Sequence, residues 1–213
     1  MTAAPTPAKP RTEALEQYRR RAETYDIELA LFEPLRHTAI ARLALRRGDT
    51  VLDVGCGTGL SLALLREAVG SRGHVVGIEQ CPEMLTHARE CVQRHHWRNV
   101  TLVEASVEDA AITRTADAAL FHFTHDILRE PRAIASVARA LRPGASVVAC
   151  GLQWASLWVW PVNLFVLGAA LRSVSSLDGL DRPWSLLAGA LDGLSVESQL
   201  AGAVFLAHGT RRG

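Results

Sequence analysis

The sequence predicts an α/β protein: a doubly wound, mostly parallel sheet of seven strands with an antiparallel last strand, extra N-terminal helices and a helical lid. Three observations carry that expectation. Short apolar runs alternate with longer stretches of helical period, the pattern of βαβ units with right-handed crossovers. The first apolar run, "TVLDV", ends in the glycine-dense turn "GCGTG". Near the C-terminus, "SVESQLAGAVFLAHGT" reads as two strands joined by a tight turn near Gly202, an antiparallel hairpin.

The elements follow in order. "MTAAPTPAKPRT" is rich in Pro, Ala and Thr, so residues 1–12 are expected to be a disordered tail. From Glu13 to Leu45 the pattern is helical, and Pro34 divides it into two helices. "TVLDV" is the first strand, and a helix is expected from Gly59 to Ala68. "HVVGIE" is the second strand, followed by the helix "PEMLTHARECVQRH"; "VTLVEA" is the third. "DAALFHF" is the fourth, followed by a helix ending at "ARALRPG", and "SVVACGL" is the fifth. The stretch from Gln153 to Leu191 exceeds the usual α/β connection of about 2–6 residues and is expected to form the lid. No internal repeat or interior linker divides the chain, so residues 13–213 read as a single domain with the lid inserted at about 153–191.

Composition narrows the function classes. With 23 basic against 22 acidic residues, no global field calls for nucleic acid or an anionic membrane. Cys56, Cys81, Cys91 and Cys150 fit no metal-ligand spacing, and no metal is expected. The N-terminus lacks the apolar region of a secretory signal, so the expected setting is cytoplasmic with reduced thiols. "WASLWVWPVNLFVLGAAL" approaches the length of a membrane span, roughly 20 residues. Pro161 and Asn163 interrupt its centre, and it reads as a buried or interfacial segment with a peripheral membrane contact left open.

In an open α/β sheet ligands bind at the carboxyl ends of the strands. Asp53 closes the first strand, and Gly55, Gly57 and Gly59 make the turn into the next helix, leaving room for a ligand against bare backbone. A dinucleotide site wants G-x-G-x-x-G, and Leu60 stands where its third glycine belongs. The pattern is G-x-G-x-G preceded by Asp53.

"VLDVGCGTG" resembles the first motif of the class I S-adenosylmethionine-dependent methyltransferases, a Rossmann-like family, and further segments follow in the family's order. "VVGIEQCPEML" places Glu79 where a carboxylate takes both ribose hydroxyls, with Gln80, Cys81 and Met84 behind it. "LVEASVEDAAI" is similar to the adenine-binding segment; Ser106 stands where an acid is usual, leaving Val107 N–H and Glu108 to make that contact. "LRPGASVVA" resembles the approach to the fifth strand, and the N-terminal Tyr18 and Tyr25 resemble the segment that folds over the cofactor. The resemblance covers roughly Tyr18 to Gly151 and is to the small-molecule type, such as quinone-biosynthesis and phospholipid methyltransferases. It implies S-adenosylmethionine as cofactor, held by Tyr18, Tyr25, Asp53, Gly55, Cys56, Gly57, Gly59, Glu79, Gln80, Met84, Ser106, Val107 and Glu108. It implies methyl transfer to a small, largely apolar acceptor at oxygen, nitrogen or carbon.

Candidate bases stand at the end of the fourth strand, in "FHFTHD": His122 and His125, whose imidazoles titrate near neutrality. Strand alternation there sets His122 opposite Phe121 and Phe123. In the lid, Trp154 and Trp158 share a helical face and form an aromatic wall for the acceptor. Three rival readings stay open: a cofactor-binding protein without turnover, a phospholipid N-methyltransferase at a membrane surface, and a dinucleotide oxidoreductase.

Overall fold

The structure, a computed structural model, describes residues 32–156, 160–173 and 177–213; at 161, 165 and 169–173 it describes backbone alone. The expected tail, Tyr18, Tyr25 and Trp158 lie outside the described residues.

Seven strands form one sheet: β1 (Thr50–Val54), β2 (His74–Glu79), β3 (Val100–Glu104), β4 (Ala116–His122), β5 (Leu141–Leu152), β6 (Leu191–Gln199) and β7 (Val204–Arg211). Their order across the sheet is β3-β2-β1-β4-β5-β7-β6. The first five run parallel, and β7 enters antiparallel between β5 and β6. The winding reverses between β1 and β4, so the crevice at the topological switch lies beyond Val54 and His122.

Around the sheet stand α1 (Glu33–Arg42), α2 (Leu62–Val69), α3 (Pro82–Arg94), α4 (His125–Leu128), α5 (Pro131–Ala140), α6 (Trp160–Ser173) and α7 (Ser185–Ala190). Prolines open four of them, at Pro34, Pro82, Pro131 and Pro161, where the first helical turn has no use for the missing N–H. Strand alternation divides the core in two. Val51, Leu120 and Val148 face one side with Ala39, Leu62, Leu85 and Val166, so α1, α2, α3 and α6 cover that face. Leu52, Phe121 and Ala149 face the other with Leu128, Ile134 and Leu187, under α4, α5 and α7.

Three sequence expectations change. The helix expected from Gly59 starts at Leu62, because Gly57 and Gly59 take φ of 56° and 90°, outside the right-handed helical region. The helix expected to end at "ARALRPG" stops at Ala140, and "LRPG" is already extended chain; a register shift between Ala116 and Ala118 absorbs the extra residues of β5. The connection from β5 to β6 covers both faces: Val166 joins the α1 side, whereas Leu187 packs beneath the sheet with α5.

Candidate functional site

The glycine turn is held by the protein's own polar groups. The Gly55 and Cys56 N–H groups donate to the Ile78 carbonyl at 2.9 and 3.0 Å, and the Gly59 N–H to the Cys56 carbonyl at 2.9 Å. Glu79, at the end of β2, closes the turn: its Oε2 accepts from Gly57 N–H at 3.1 Å and its Oε1 from Cys81 N–H at 2.8 Å. Burial raises the Glu79 carboxyl above its usual range, against the lowering effect of the Cys81, Gly57 and Gln80 backbone N–H groups.

Two of the three glycines are demanded by packing within the chain. A Cβ on Gly55, at φ 74°, would stand 2.6 Å from Thr124 Cγ2 and 2.8 Å from Ile127 Cδ1. A Cβ on Gly59, at φ 90°, would stand 2.8 Å from Leu62 Cδ1 and 3.3 Å from Ala88 Cα. Packing within the chain is thus a second reason for glycine at these two positions, beside the expected ligand: the turn presses against α2, α3 and α4. Cys56 also points inward, its thiol against Gly77, whose own Cβ would meet Cys56 Sγ at 2.9 Å. The Cys56 thiol is pushed far up by burial and by the Asp53 and Glu79 carboxylates, so its side chain is core and only its backbone belongs to the turn.

Met84 is 3% exposed behind the turn. On the segment after β3, Ser106 donates from Oγ to Asp109 Oδ2 at 2.8 Å, and Val107 packs in the lower core. Gln80 and Glu108 remain half-buried. Thus Asp53, Glu79, Gln80 and the 106–108 segment stand at the ends of adjacent strands, whereas Cys56 and Ser106 direct their side chains elsewhere.

On the α1 face polar groups are buried without partners. Asp53 is 2% exposed, and its Oδ2 has no hydrogen-bond partner. Burial drives its carboxyl up to about 7, a rise that the neighbouring Arg36 charge opposes and the Glu79 charge supports. Asp53 alternates with Leu52 and Val54 of the lower core, so it shares the upper face with Val51 and Leu120. His122 follows Phe121 in the same alternation and pairs in register with Cys150 of β5.

His122 is buried, its Nε2 has no partner, and burial together with the Arg36 charge lowers its imidazole to about 3. That overturns the expectation of an imidazole titrating near neutrality. Strand alternation fails immediately afterwards: Phe123 has φ 58°, the left-handed region that bulky residues avoid. Its N–H donates to the Cys150 carbonyl at 2.7 Å, and the His122 and Phe123 rings meet edge to face at 4.9 Å. His122 therefore neighbours Phe123 instead of opposing it. Phe32 completes an aromatic group, its ring centroid 4.9 Å from that of Phe123.

His125 stands at the start of α4 with Nε2 3.1 Å from the Asp178 carbonyl and Nδ1 unpartnered; burial lowers its pKa. It ties the β5–β6 connection to the end of β4, joined by the Arg129–Asp178 ion pair at 3.8 Å. Trp154 is half-buried on the upper core, and its backbone N–H donates to the Leu180 carbonyl at 2.9 Å. Asn163 holds α6 to the chain leaving β5, accepting from Ala155 N–H at 2.8 Å and donating to its carbonyl at 3.2 Å. Among the described residues no helix is long and apolar enough to cross a membrane, and no three His, Cys, Asp or Glu side chains gather as a metal site.

The residue that sequence reasoning missed is Arg36. It projects from α1, is 2% exposed, and its charge acts on Asp53, His122 and Cys150 together. Its signal in the sequence was weak, one arginine among many on a helical stretch.

Residues 51–144 match a family model described as a methyltransferase domain. A protein-L-isoaspartate O-methyltransferase from Ignicoccus hospitalis is 48% identical over 59 residues, 28% of this chain and 28% of that one. The aklanonic acid methyltransferase DauC from a Streptomyces species is 31% identical over 130 residues, 60% of this chain and 57% of that one. The chain thus spans less than two thirds of the length of these curated relatives. A solved S-adenosylmethionine-dependent methyltransferase from Aquifex aeolicus superposes with a TM-score of 0.59 at 20% identity, over 83% of this chain and 89% of that one.

Proposed function

We propose that this chain, whose residues 51–144 match a methyltransferase domain, is a class I methyltransferase that takes S-adenosylmethionine as its cofactor and passes a methyl group to a small, largely apolar acceptor. The observation that carries the reading is the pairing of Asp53 and Glu79 at the ends of β1 and β2, around a turn whose amides are already engaged. A dinucleotide's pyrophosphate needs free amides and no facing carboxylate. A sulfonium nucleoside needs acceptors for its hydroxyls and ammonium, and the buried Asp53 and half-buried Glu79 carboxylates supply them. The unpartnered Asp53 Oδ2 is such an acceptor, and Glu79 is already aimed by three backbone N–H groups.

When bound, the cofactor supplies an electrophilic methyl group on its sulfonium. The chain's residues then have two tasks, orientation and exclusion of water. Phe32 and Phe123 make an apolar wall beside His122. Neutral His122 presents an unpartnered ring nitrogen, suited to a hydrogen bond with the acceptor. At a pKa of about 3 it is a weak base, so it orients the acceptor instead of storing its proton. The β5–β6 connection, with Trp154 against the core and His125 tied to Asp178, serves as the cover over this end. The described cysteines are all free, which suits a reducing compartment.

A second reading, with an acceptor drawn from a membrane surface, has one observation in its favour. Trp160 and Leu164, one helical turn apart on α6, are 65% and 58% exposed.

The test is transfer of labelled methyl from S-adenosylmethionine to small-molecule and lipid extracts, with cofactor binding followed by calorimetry. Label should reach organic-soluble products. S-adenosylhomocysteine binding with no transfer to any extract would leave a binding protein, and tighter binding of a nicotinamide dinucleotide would sink the reading altogether.

A further inference from the structure

Parallel winding sets the entries to β1, β2, β3 and β4 along one edge of the sheet, opposite the strand ends that carry Asp53, Glu79 and His122. Val51 is in register with Val75 and Ala118, and Val75 with Val100. Each of the four entries carries an exposed arginine two to four residues before that row: Arg47, Arg72, Arg98 and Arg114. With strands about 4.8 Å apart, the order β3-β2-β1-β4 spreads these entries over about 14 Å. At about 3.3 Å per residue, β2 keeps this edge roughly 20 Å from the turn at Glu79.

The four charges lack counterweights. Elsewhere arginines meet carboxylates, as Arg42 meets Glu197 at 2.7 Å and Arg89 meets Glu104 at 2.8 Å. Among the described residues, Arg47, Arg72, Arg98 and Arg114 form no ion pair. Two acids beside them are already engaged. Asp49 Oδ2 accepts from Arg46 N–H at 2.7 Å; Asp117 accepts from Thr50 N–H at 2.8 Å and pairs with Arg142 at 2.6 Å. The excess is felt at His74, where burial and the Arg114 charge lower the imidazole. Since the whole chain has 23 basic against 22 acidic residues, this edge is positive by segregation and not by composition.

The same edge is locked in place and carries stacked rings. Asn99 Nδ2 donates to the Gly70 and Gly73 carbonyls at 3.1 and 3.0 Å, and its Oδ1 accepts from Arg66 Nε at 3.0 Å, tying the β2 and β3 entries together. A Cβ on Gly70 would stand 3.3 Å from Arg47 Nη1, so the Arg47 guanidinium lies against the same turn. Arg66 lies over the Trp97 ring at 5.6 Å. Exposed His95 stacks on Trp97, with centroids 5.0 Å apart and planes 15° from parallel. Among the described residues the exposed large apolar side chains, Trp160, Leu164, Val196 and Leu200, belong to α6, β6 and the turn after it. A lipid surface would thus find charge here but no apolar anchor. An acidic peptide would leave the rings unused.

We propose that the edge formed by the entries to β3, β2, β1 and β4 binds single-stranded nucleic acid, with Arg98, Arg72, Arg47 and Arg114 on its phosphates and the His95–Trp97 pair against a base. The span of about 14 Å takes about four nucleotides at about 3.4 Å each. Arginine forks match phosphate oxygens, and a ring platform takes any base by its face, so the surface selects a strand and not a sequence. The site lies at the far edge from methyl transfer and does not rest on the cofactor reading.

Binding is measured by fluorescence anisotropy with a labelled single-stranded RNA or DNA of about 15 nucleotides, at several salt concentrations. Wild type should bind with a Kd of about 1–100 μM that weakens as salt rises. Arg98→Gln with Arg114→Gln should weaken binding about 10-fold and reduce the salt slope by about 1.4. Arg132→Gln with Arg182→Gln removes the same charge from exposed positions that follow the ends of β4 and β5, and should weaken binding less than about 2-fold. His95→Ala should cost about 5-fold with the slope unchanged. Both double variants should melt with wild type, because all four side chains are exposed. Equal losses in the two double variants would reduce the effect to net charge and overturn the proposal. Wild type that binds no oligonucleotide at low salt, or that binds phosphatidylserine vesicles or polyglutamate in its place, would overturn it as well.

Discussion

The turn after β1 and the upper face beneath α1 solve opposite problems within a few residues of each other. In the turn, amides at Gly55, Cys56, Gly57 and Gly59 all have partners inside the chain, and Glu79 is fixed by backbone donors. Under α1, Arg36, Asp53 and His122 each keep a buried polar atom without one. The first region is complete before any ligand arrives and fixes shape. The second carries unmet polar demand, and such groups cost stability that a ligand can restore. Fixed shape and unmet polar demand therefore belong to different parts of one strand-end region.

Disturbing the complete region should have the largest effect. Gly55→Ala sets a methyl 2.6 Å from Thr124 Cγ2 at φ 74°. Left-handed strain and overpacking together should remove about 2–4 kcal/mol of stability, seen as a lower denaturant midpoint. Adding Thr124→Ser removes the clashing methyl and should restore part of it, whereas no rescue would place the strain in the backbone.

The unpaired region should respond less, and in a pH-dependent way. Asp53 has its carboxyl raised from 3.8 to about 7, so between those values the folded state holds more protons than the unfolded one. That contribution is present in acid and lost as pH rises toward 7. His122 is lowered from 6.5 to about 3, so the folded state holds fewer protons there, and its contribution is lost as pH falls through that window. The two slopes oppose each other in wild type. Asp53→Asn should therefore gain melting temperature relative to wild type on going from pH 4.5 to 7.5, by about 2–6 °C. His122→Gln should show the reverse trend, gaining most at pH 4.5. Parallel curves for both variants would mean that the two groups are not buried as described. Asp53→Asn should at the same time lose cofactor affinity, trading function for stability.

The smallest effect belongs to the exposed turn of α6. Leu164 is 58% exposed, and Leu164→Lys should change stability by less than about 0.5 kcal/mol. Loss of binding to phosphatidylethanolamine vesicles in that variant would favour the membrane-derived acceptor, and unaltered behaviour the freely diffusing one.

Much of the frame was legible before any coordinates. Period and punctuation placed the strands, the hairpin at Gly202 and the helix start at Pro34, because each depends on residues close in the chain. Asp53 and Glu79 were legible too, since strand ends in a parallel sheet converge on one edge. The reason for the glycines was not: Gly55 and Gly59 answer to Thr124, Ile127 and Ala88, which sequence spacing does not bring beside them. His122 was found by its position, but its charge state was misread, because a pKa is set by surroundings that composition does not reveal.

What the sequence determined by itself is the order of the elements, the glycine turn and the two carboxylates, all consequences of local periodicity and of the parallel winding it imposes. What only the tertiary structure decided is the buried polar group under α1. Arg36 came to lie buried beside Asp53, His122 and Cys150 when α1 was laid over the sheet, and Phe123 turned toward His122 through a left-handed φ that its residue type disfavours. Both depend on burial and packing between distant segments, which no single stretch of sequence encodes.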